Sequence, residues 1–163
     1  SLLSCVGFAC CSDIITGVIT GLYNKQMKDK ITCLLIDDDK DDQEIFILAL
    51  RDISHVIECL TADDGAEALH KLRTDETFIP DYIFLDLNMP RMDGKECLSA
   101  IKKINRLYHV PVIIYSTSSD PKDIIDTKNI GASDYITKQS SISTLRKMLG
   151  QLFQGSVSFL YNR

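Results

Sequence analysis

Tyr82-Ile83-Phe84-Leu85-Asp86-Leu87-Asn88-Met89-Pro90-Arg91-Met92-Asp93-Gly94 joins an apolar run to a carboxylate and then to a proline turn. A short continuous apolar run bounded by turn residues reads as a strand buried on both faces, as in a parallel sheet. In open α/β sheets ligands gather at the carboxyl ends of the strands, and Asp86 occupies such an end.

The pattern on either side is an alternation of strands and helices. Ile31-Thr32-Cys33-Leu34-Leu35-Ile36 is a short apolar run, followed by acidic residues and a segment in which Ile45, Leu48, Ala49 and Asp52 recur at helical spacing. A second strand is predicted from His55 to Leu60. Asp63-Asp64-Gly65 then leads into a helix with Ala66, Leu69 and Leu72 on one side. After Gly94 a helix carries Cys97, Ile101 and Ile104 inward, and the β-branched run from Val110 to Tyr115 predicts a fourth strand. Pro121 opens a fourth helix with Ile124 and Ile125, ending near Asn129-Ile130-Gly131. Ser133 to Thr137 reads as a fifth strand, and Ile142, Leu145, Leu149 and Leu152 form the stripe of a last helix. Five strands alternating with five helices predict an α/β, doubly wound parallel sheet with helices on both faces. Periodicity leaves the strand order open.

The 163 residues suffice for one domain, and 45% apolar with 25% charged residues is ordinary for a globular protein. Eighteen basic residues against twenty-three acidic ones give a net charge of −5, with no Lys/Arg cluster to neutralise a row of phosphates, which argues against direct nucleic-acid binding. Of six cysteines, Cys33, Cys59 and Cys97 fall inside apolar patterns, while Cys5, Cys10 and Cys11 lack neighbouring histidines or C-x-x-C spacing. A reducing, cytoplasmic compartment is expected. His55, His70 and His109 are scattered and share no ligand spacing.

The first residues follow a different pattern. Leu2 to Tyr23 is apolar with one charge, Asp13, and contains a G-x-x-x-G spacing from Gly17 to Gly21. Asp at the centre of a membrane span costs about 2.5–3.5 kcal/mol, and no basic region precedes the apolar part as in a signal peptide. Residues 1–29 are therefore read as an extension, either a further helix or a leader, and a membrane span is disfavoured. Met27-Lys28-Asp29-Lys30 has the look of a domain start.

Three of the strand ends carry functional types: Asp37-Asp38-Asp39 after the first, Asp86 after the third and Ser116-Thr117 after the fourth. Lys138 lies just past the fifth. A parallel sheet delivers these ends to one edge. Crowded carboxylates repel unless one takes a proton or a cation intervenes, and Mg²⁺ suits such a site because it takes oxygen ligands and needs only one or two carboxylates. Beside it Asp86 becomes a nucleophile toward a phosphoryl group, with Lys138 as a second positive charge and Ser116 as a hydroxyl donor. The turn Asn88-Met89-Pro90 places a backbone carbonyl where it can join the coordination. An EF-hand is excluded, because counting from Asp37 the sixth position is Asp42 and the twelfth Leu48. Asp39, Asp41 and Asp42 read as acids favoured at the positive end of a helix.

From Lys30 to about Phe153 the chain resembles a receiver domain of two-component response regulators. The matching features are the acidic pair after the first strand, D-x-x-M-P-x-M-D-G from Asp86, the hydroxyl residue thirty positions later at Ser116, and Gly131-Ala132-Ser133-Asp134-Tyr135-Ile136-Thr137-Lys138. The resemblance implies the flavodoxin-like strand order 2-1-3-4-5 and Asp86 as phosphoacceptor. It implies Mg²⁺ held by Asp38 and Asp86 directly, by Asp37 through water and by the Asn88 carbonyl, and Lys138 paired with the phosphoryl group. Ser116 and Tyr135 would be the switch pair, with Thr117 beside the phosphate and bulkier than the residue common there. Gln139 stands where the family usually has proline.

The expected organisation is an extension at 1–29, a receiver domain at 30–153 and a tail at 154–163 whose alternating Val157, Phe159 and Tyr161 suggest a contact. The expected partners are a sensor histidine kinase or phosphotransfer protein, and then a protein target or a second copy meeting the fourth helix, fifth strand and fifth helix. Too few residues follow the last helix for a DNA-binding output. An aspartate-nucleophile phosphatase is the alternative, although Asn88 stands where such enzymes want a second Asp. A flavin module would place its phosphate against Asp37-Asp38-Asp39, which repels it, and a receiver that only binds partners is the last reading.

Overall fold

Every side chain from Val112 to Ser116 is buried, as are those of Ile83, Phe84 and Leu85, so these strands carry no polar face to turn toward water. The computed structural model describes residues 30–139 and 141–161, with side chains described as far as Val157. The extension at 1–29, with Cys5, Cys10, Cys11, Asp13 and the glycine pair, lies outside the described residues.

The elements in chain order are β1 (Ile31–Ile36), α1 (Lys40–Ile53), β2 (Ile57–Ala62), α2 (Gly65–Thr74), β3 (Tyr82–Leu85), α3 (Gly94–Lys102), a 3₁₀ turn (Asn105–Leu107), β4 (Val112–Ser116), α4 (Pro121–Ile130), β5 (Asp134–Thr137) and α5 (Ile142–Tyr161). The strands form one sheet in the order β2-β1-β3-β4-β5, and every pairing is parallel. This is the doubly wound, flavodoxin-like arrangement, whose strand order reverses between β1 and β3. Side chains alternate across the sheet, so each strand feeds two cores. One face packs Leu34, Ile83, Leu85 and Ile114 against α2 and α3. The other packs Leu35, Phe84, Ile113 and Tyr115 against α1 and α5, with the Phe46 ring 4.8 Å from Phe84 and 5.1 Å from Tyr115.

Several predicted stripes shift by one position. In α1 the buried side chains are Gln43, Phe46, Ala49 and Leu50, while Ile45 and Leu48 face solvent. Phe46 decides this rotation, because its ring fills the gap between Phe84 and Tyr115 and only one face of the helix can supply it. In α2 Ala68 joins Leu69 and Leu72 in place of Ala66. In α4 Ile124 and Ile125 are exposed and Thr127 is the buried residue. Pro121 occupies the first turn of α4 behind the Asp120 cap, and Gly131 closes it at φ 121°, a conformation that favours glycine. The segment expected as a tail is a continuation of α5. Leu145, Leu149 and Phe153 are buried and Val157 packs partly against them, so the four-residue spacing runs on past Phe153.

Candidate functional site

The pairing of β1, β3, β4 and β5 ends at almost one level, with Ile36 opposite Leu85, Leu85 opposite Ile114 and Ser116 opposite Thr137. Backbone bonds extend that ladder into the site: Asp86 N donates to Ile36 O at 2.9 Å, and Lys138 N to Ser116 O at 2.8 Å. Asp37, Asp86, Thr117 and Lys138 therefore leave the sheet together at one edge.

Lys138 stands at the centre. Its Nζ lies 2.7 Å from Asp37 Oδ2, 2.8 Å from Asp42 Oδ2 and 3.0 Å from Asp86 Oδ2, and its side chain is only 7% exposed. The ammonium also sits 5.4 Å from the centre of the Tyr115 ring. Burial alone would favour the neutral amine, but the carboxylates of Asp37, Asp42 and Asp86 outweigh it and hold the pKa above the ordinary lysine value.

Asp37 is fully buried. Its Oδ1 accepts from Asp39 N at 3.0 Å, while its carbonyl accepts from the Gln43 amide at 2.6 Å. Its Oδ2 is buried and receives no hydrogen bond of good geometry, although the Lys138 ammonium is close. Burial raises the Asp37 pKa and the charge of Asp86 adds to the effect, so that Lys138 and the Asp39 amide offset only part of it. Asp38 is exposed beside it. One oxygen from each of Asp37, Asp38 and Asp86 can be chosen so that all lie within 4.8 Å of one another. Three converging carboxylate oxygens, together with a buried Asp37 Oδ2 that lacks a hydrogen bond, fit a hard divalent cation.

The loop after β3 shapes the rest. Asp86 Oδ1 accepts from Asn88 N at 3.2 Å, which curls the chain around the carboxylate. Arg91 takes a left-handed conformation at φ 73°, and its guanidinium meets Asp64 at 3.0 Å. Asp93 caps α3, and Gly94 N donates to Leu87 O at 3.3 Å. A Cβ on Gly94 would meet Asp86 O and Leu87 Cα at 2.5 Å, so the helix approaches the loop this closely only without a side chain there.

Ser116 is buried, and its Oγ accepts from Asn88 Nδ2 at 3.4 Å and from Ser118 N at 3.3 Å. Thr117 is exposed, with Oγ1 3.3 Å from the same Asn88 amide. Tyr135 is half-buried and its hydroxyl donates to Ser118 O at 2.8 Å. The predicted residues Asp37, Asp38, Asp86, Asn88, Ser116, Thr117 and Lys138 thus share one edge, and Tyr135 connects to it through the loop after β4. The peptide bond from Lys138 to Gln139 is trans.

Three features escaped the sequence reading. Asp42 pairs with Lys138 instead of serving only the helix end, and nothing in its spacing distinguishes it from the exposed Asp41. The Asn88 side chain bridges two hydroxyls, where only its carbonyl was expected to matter. Lys95 joins α3 to α4 through Asp123 at 2.9 Å and Asp126 at 2.8 Å, and Asp123 also accepts from Ser118 Oγ at 2.6 Å.

A model of the response regulator receiver domain matches residues 33–150. The chain belongs to the response regulator receiver family. This receiver is 33% identical over 132 residues to the response regulator Rcp1 of Synechocystis sp., covering 77% of this chain and 86% of that protein. Among solved structures it resembles the phosphorylated cyanobacterial phytochrome response regulator RcpA, with a TM-score of 0.70, 34% identity and coverage of 77% and 92% of the two chains. It also resembles the Mn²⁺-bound form of Rcp1, with a TM-score of 0.67, 30% identity and coverage of 76% and 91%. Phosphoacceptor signalling is what this family membership supports, and divalent metal binding belongs to the same family. Among the described residues no helix is long and apolar enough to cross a membrane.

Proposed function

We propose that Asp86 accepts a phosphoryl group from a phosphohistidine of a sensor histidine kinase or phosphotransfer protein, in a Mg²⁺-dependent reaction. The observation that carries this reading is the Lys138 ammonium 3.0 Å from Asp86 Oδ2 at the edge where the acidic residues converge. Asp37, Asp38, Asp86 and the Asn88 carbonyl would hold the cation. Bound there, magnesium offsets the negative charge of the nucleophile and of the incoming phosphoryl oxygens. An Asp86 carboxylate oxygen bonds to phosphorus as the phosphorus–nitrogen bond breaks, and the imidazole leaves with that electron pair. Lys138 meets the phosphoryl oxygens with a fixed charge, and Ser116 turns its hydroxyl toward them.

The acyl phosphate adds nearly two negative charges at the end of β3. In our reading Ser116 then leaves the Asn88 amide, the loop holding Ser118 moves, and Tyr135 loses the carbonyl that its hydroxyl now binds. The surface formed by α4, β5 and α5 changes and selects a protein target or a second copy. Phosphoryl loss is slow, because Asn88 offers an amide where a phosphatase would present an acid. Cys33 and Cys97 are buried in the apolar cores and Cys59 packs against one of them, which supports reading them as small hydrophobes in a reducing, cytoplasmic setting.

Incubating the protein and an Asp86→Asn variant with acetyl phosphate, with and without Mg²⁺, tests the reading by intact mass. The expected result is a base-labile phosphoryl adduct on the wild type in Mg²⁺ alone. Equal labelling of both proteins would overturn it.

A further inference from the structure

The Lys138 ammonium lies within 3.0 Å of three carboxylates, and two of them have other work. Asp37 and Asp86 both belong to the cluster that fits a cation. Esterification removes the charge of Asp86 altogether. Asp42 lies outside that cluster and is neither a member of the cation group nor the acceptor.

Its position follows from α1. Asp39 caps that helix, accepting from Asp41 N at 2.9 Å and from Asp42 N at 3.3 Å. The cap therefore does not need the Asp42 carboxylate, which reaches 2.8 Å from Lys138 across 96 residues of sequence. Its side chain is 32% exposed, so it carries a negative charge at modest desolvation cost beside an ammonium that is almost fully buried.

We propose that Asp42 is a further acidic positioning residue of the acceptor site, one that holds the Lys138 ammonium in competition with phosphoryl oxygens and adds negative potential for a divalent cation. The inference rests on Asp86 being the acceptor. A nearby negative charge acts with opposite sign on the two ligands: it attracts the cation, and it both repels an anionic phosphoryl group and occupies the lysine that would bind it. Asp42 thereby makes the unphosphorylated, cation-loaded site the favoured one and shortens the life of the acyl phosphate.

The opposed signs provide the test. Wild type, Asp42→Asn and Asp42→Glu are titrated with Mg²⁺ alone, and then with fluoroberyllate at saturating Mg²⁺, by calorimetry. Thermal unfolding of each protein checks the fold. Asp42→Asn is expected to bind Mg²⁺ about fivefold more weakly and fluoroberyllate about fivefold more tightly, as for one partly screened charge a few ångströms away. Asp42→Glu is expected to restore both affinities. Loss of both affinities together in Asp42→Asn would reveal a merely structural role, and unchanged affinities would show that the contact has no effect; either result overturns the inference. Wild type that binds Mg²⁺ yet takes up no fluoroberyllate would overturn the acceptor reading itself, and this inference with it.

Discussion

The Lys138 ammonium stands 3.0 Å from the Asp86 carboxylate although 52 residues separate them in sequence. The two meet because β5 and β3 flank β4, and because each residue directly follows its strand. The contact ties the end of β5 to the end of β3, and experiment can separate its part in folding from its part in the proposed chemistry.

Replacing Lys138 by Met removes the cation that, among the described residues, pairs with Asp37, Asp42 and Asp86. Breaking a buried charge network by deleting one partner costs about 3–5 kcal/mol. The expected outcome is a lower urea midpoint with an unchanged slope in chelator, partly recovered in Mg²⁺. A midpoint unchanged in chelator would mean that the carboxylates do not depend on this lysine.

Asp37 predicts a pH dependence. Its folded pKa lies above the ordinary 3.8, chiefly because of burial, so the native state binds more protons than the unfolded chain in the interval between the two values. Stability from this residue therefore falls as pH rises from about 4 through the folded pKa. Asp37→Asn is expected to raise the unfolding temperature at pH 7 in chelator, and to lose that advantage below about pH 4. In Mg²⁺ the wild type should gain more than the variant. Thermal scans at several pH values, with and without the cation, read all three.

Gly94 is where α3 comes against the loop after β3. Gly94→Ala forces a Cβ to within 2.5 Å of the Asp86 carbonyl and Leu87 Cα, both of them backbone atoms with little room to yield. Overpacking of this kind costs about 1–3 kcal/mol. Because the strain falls on Asp86 itself, the variant should also label more slowly with acetyl phosphate, by mass, while remaining folded by circular dichroism.

Phe46 is the reverse case, a core ring packed between Phe84 and Tyr115 that supplies no oxygen to the acidic cluster. Phe46→Ala should cost about 3–5 kcal/mol in chemical unfolding. At a temperature where the variant is folded, its Mg²⁺ affinity should match that of the wild type. A large loss of cation affinity would show that the α1 packing sets the site geometry.

Much of this protein was legible before any coordinates. The run ending at Asp86 was apolar at every position, as only a strand covered on both sides requires, and the acids, the hydroxyl and the lysine all followed predicted strands. Helix faces were less legible. Ile45 and Leu48 in α1, and Ile124 and Ile125 in α4, are apolar yet exposed, so hydrophobicity marked those residues without saying which way they face. The alternating Val157, Phe159 and Tyr161 suggested a contact made by a tail, but α5 runs on through Tyr161. Packing against Phe153 and its neighbours decides for the helix.

By itself the sequence determined the strands and the residue types that stand at their ends, because these depend on local pattern and residue type. The tertiary structure alone decided that Asp42 and not Asp41 reaches Lys138, that the Asn88 amide bridges the hydroxyls of Ser116 and Thr117, and that Gly94 must lack a side chain. Each of these depends on distances between 2.5 and 3.4 Å that local pattern does not fix. Such distances are set by how helices rotate and seat on the sheet, a choice made by the packing of the whole core.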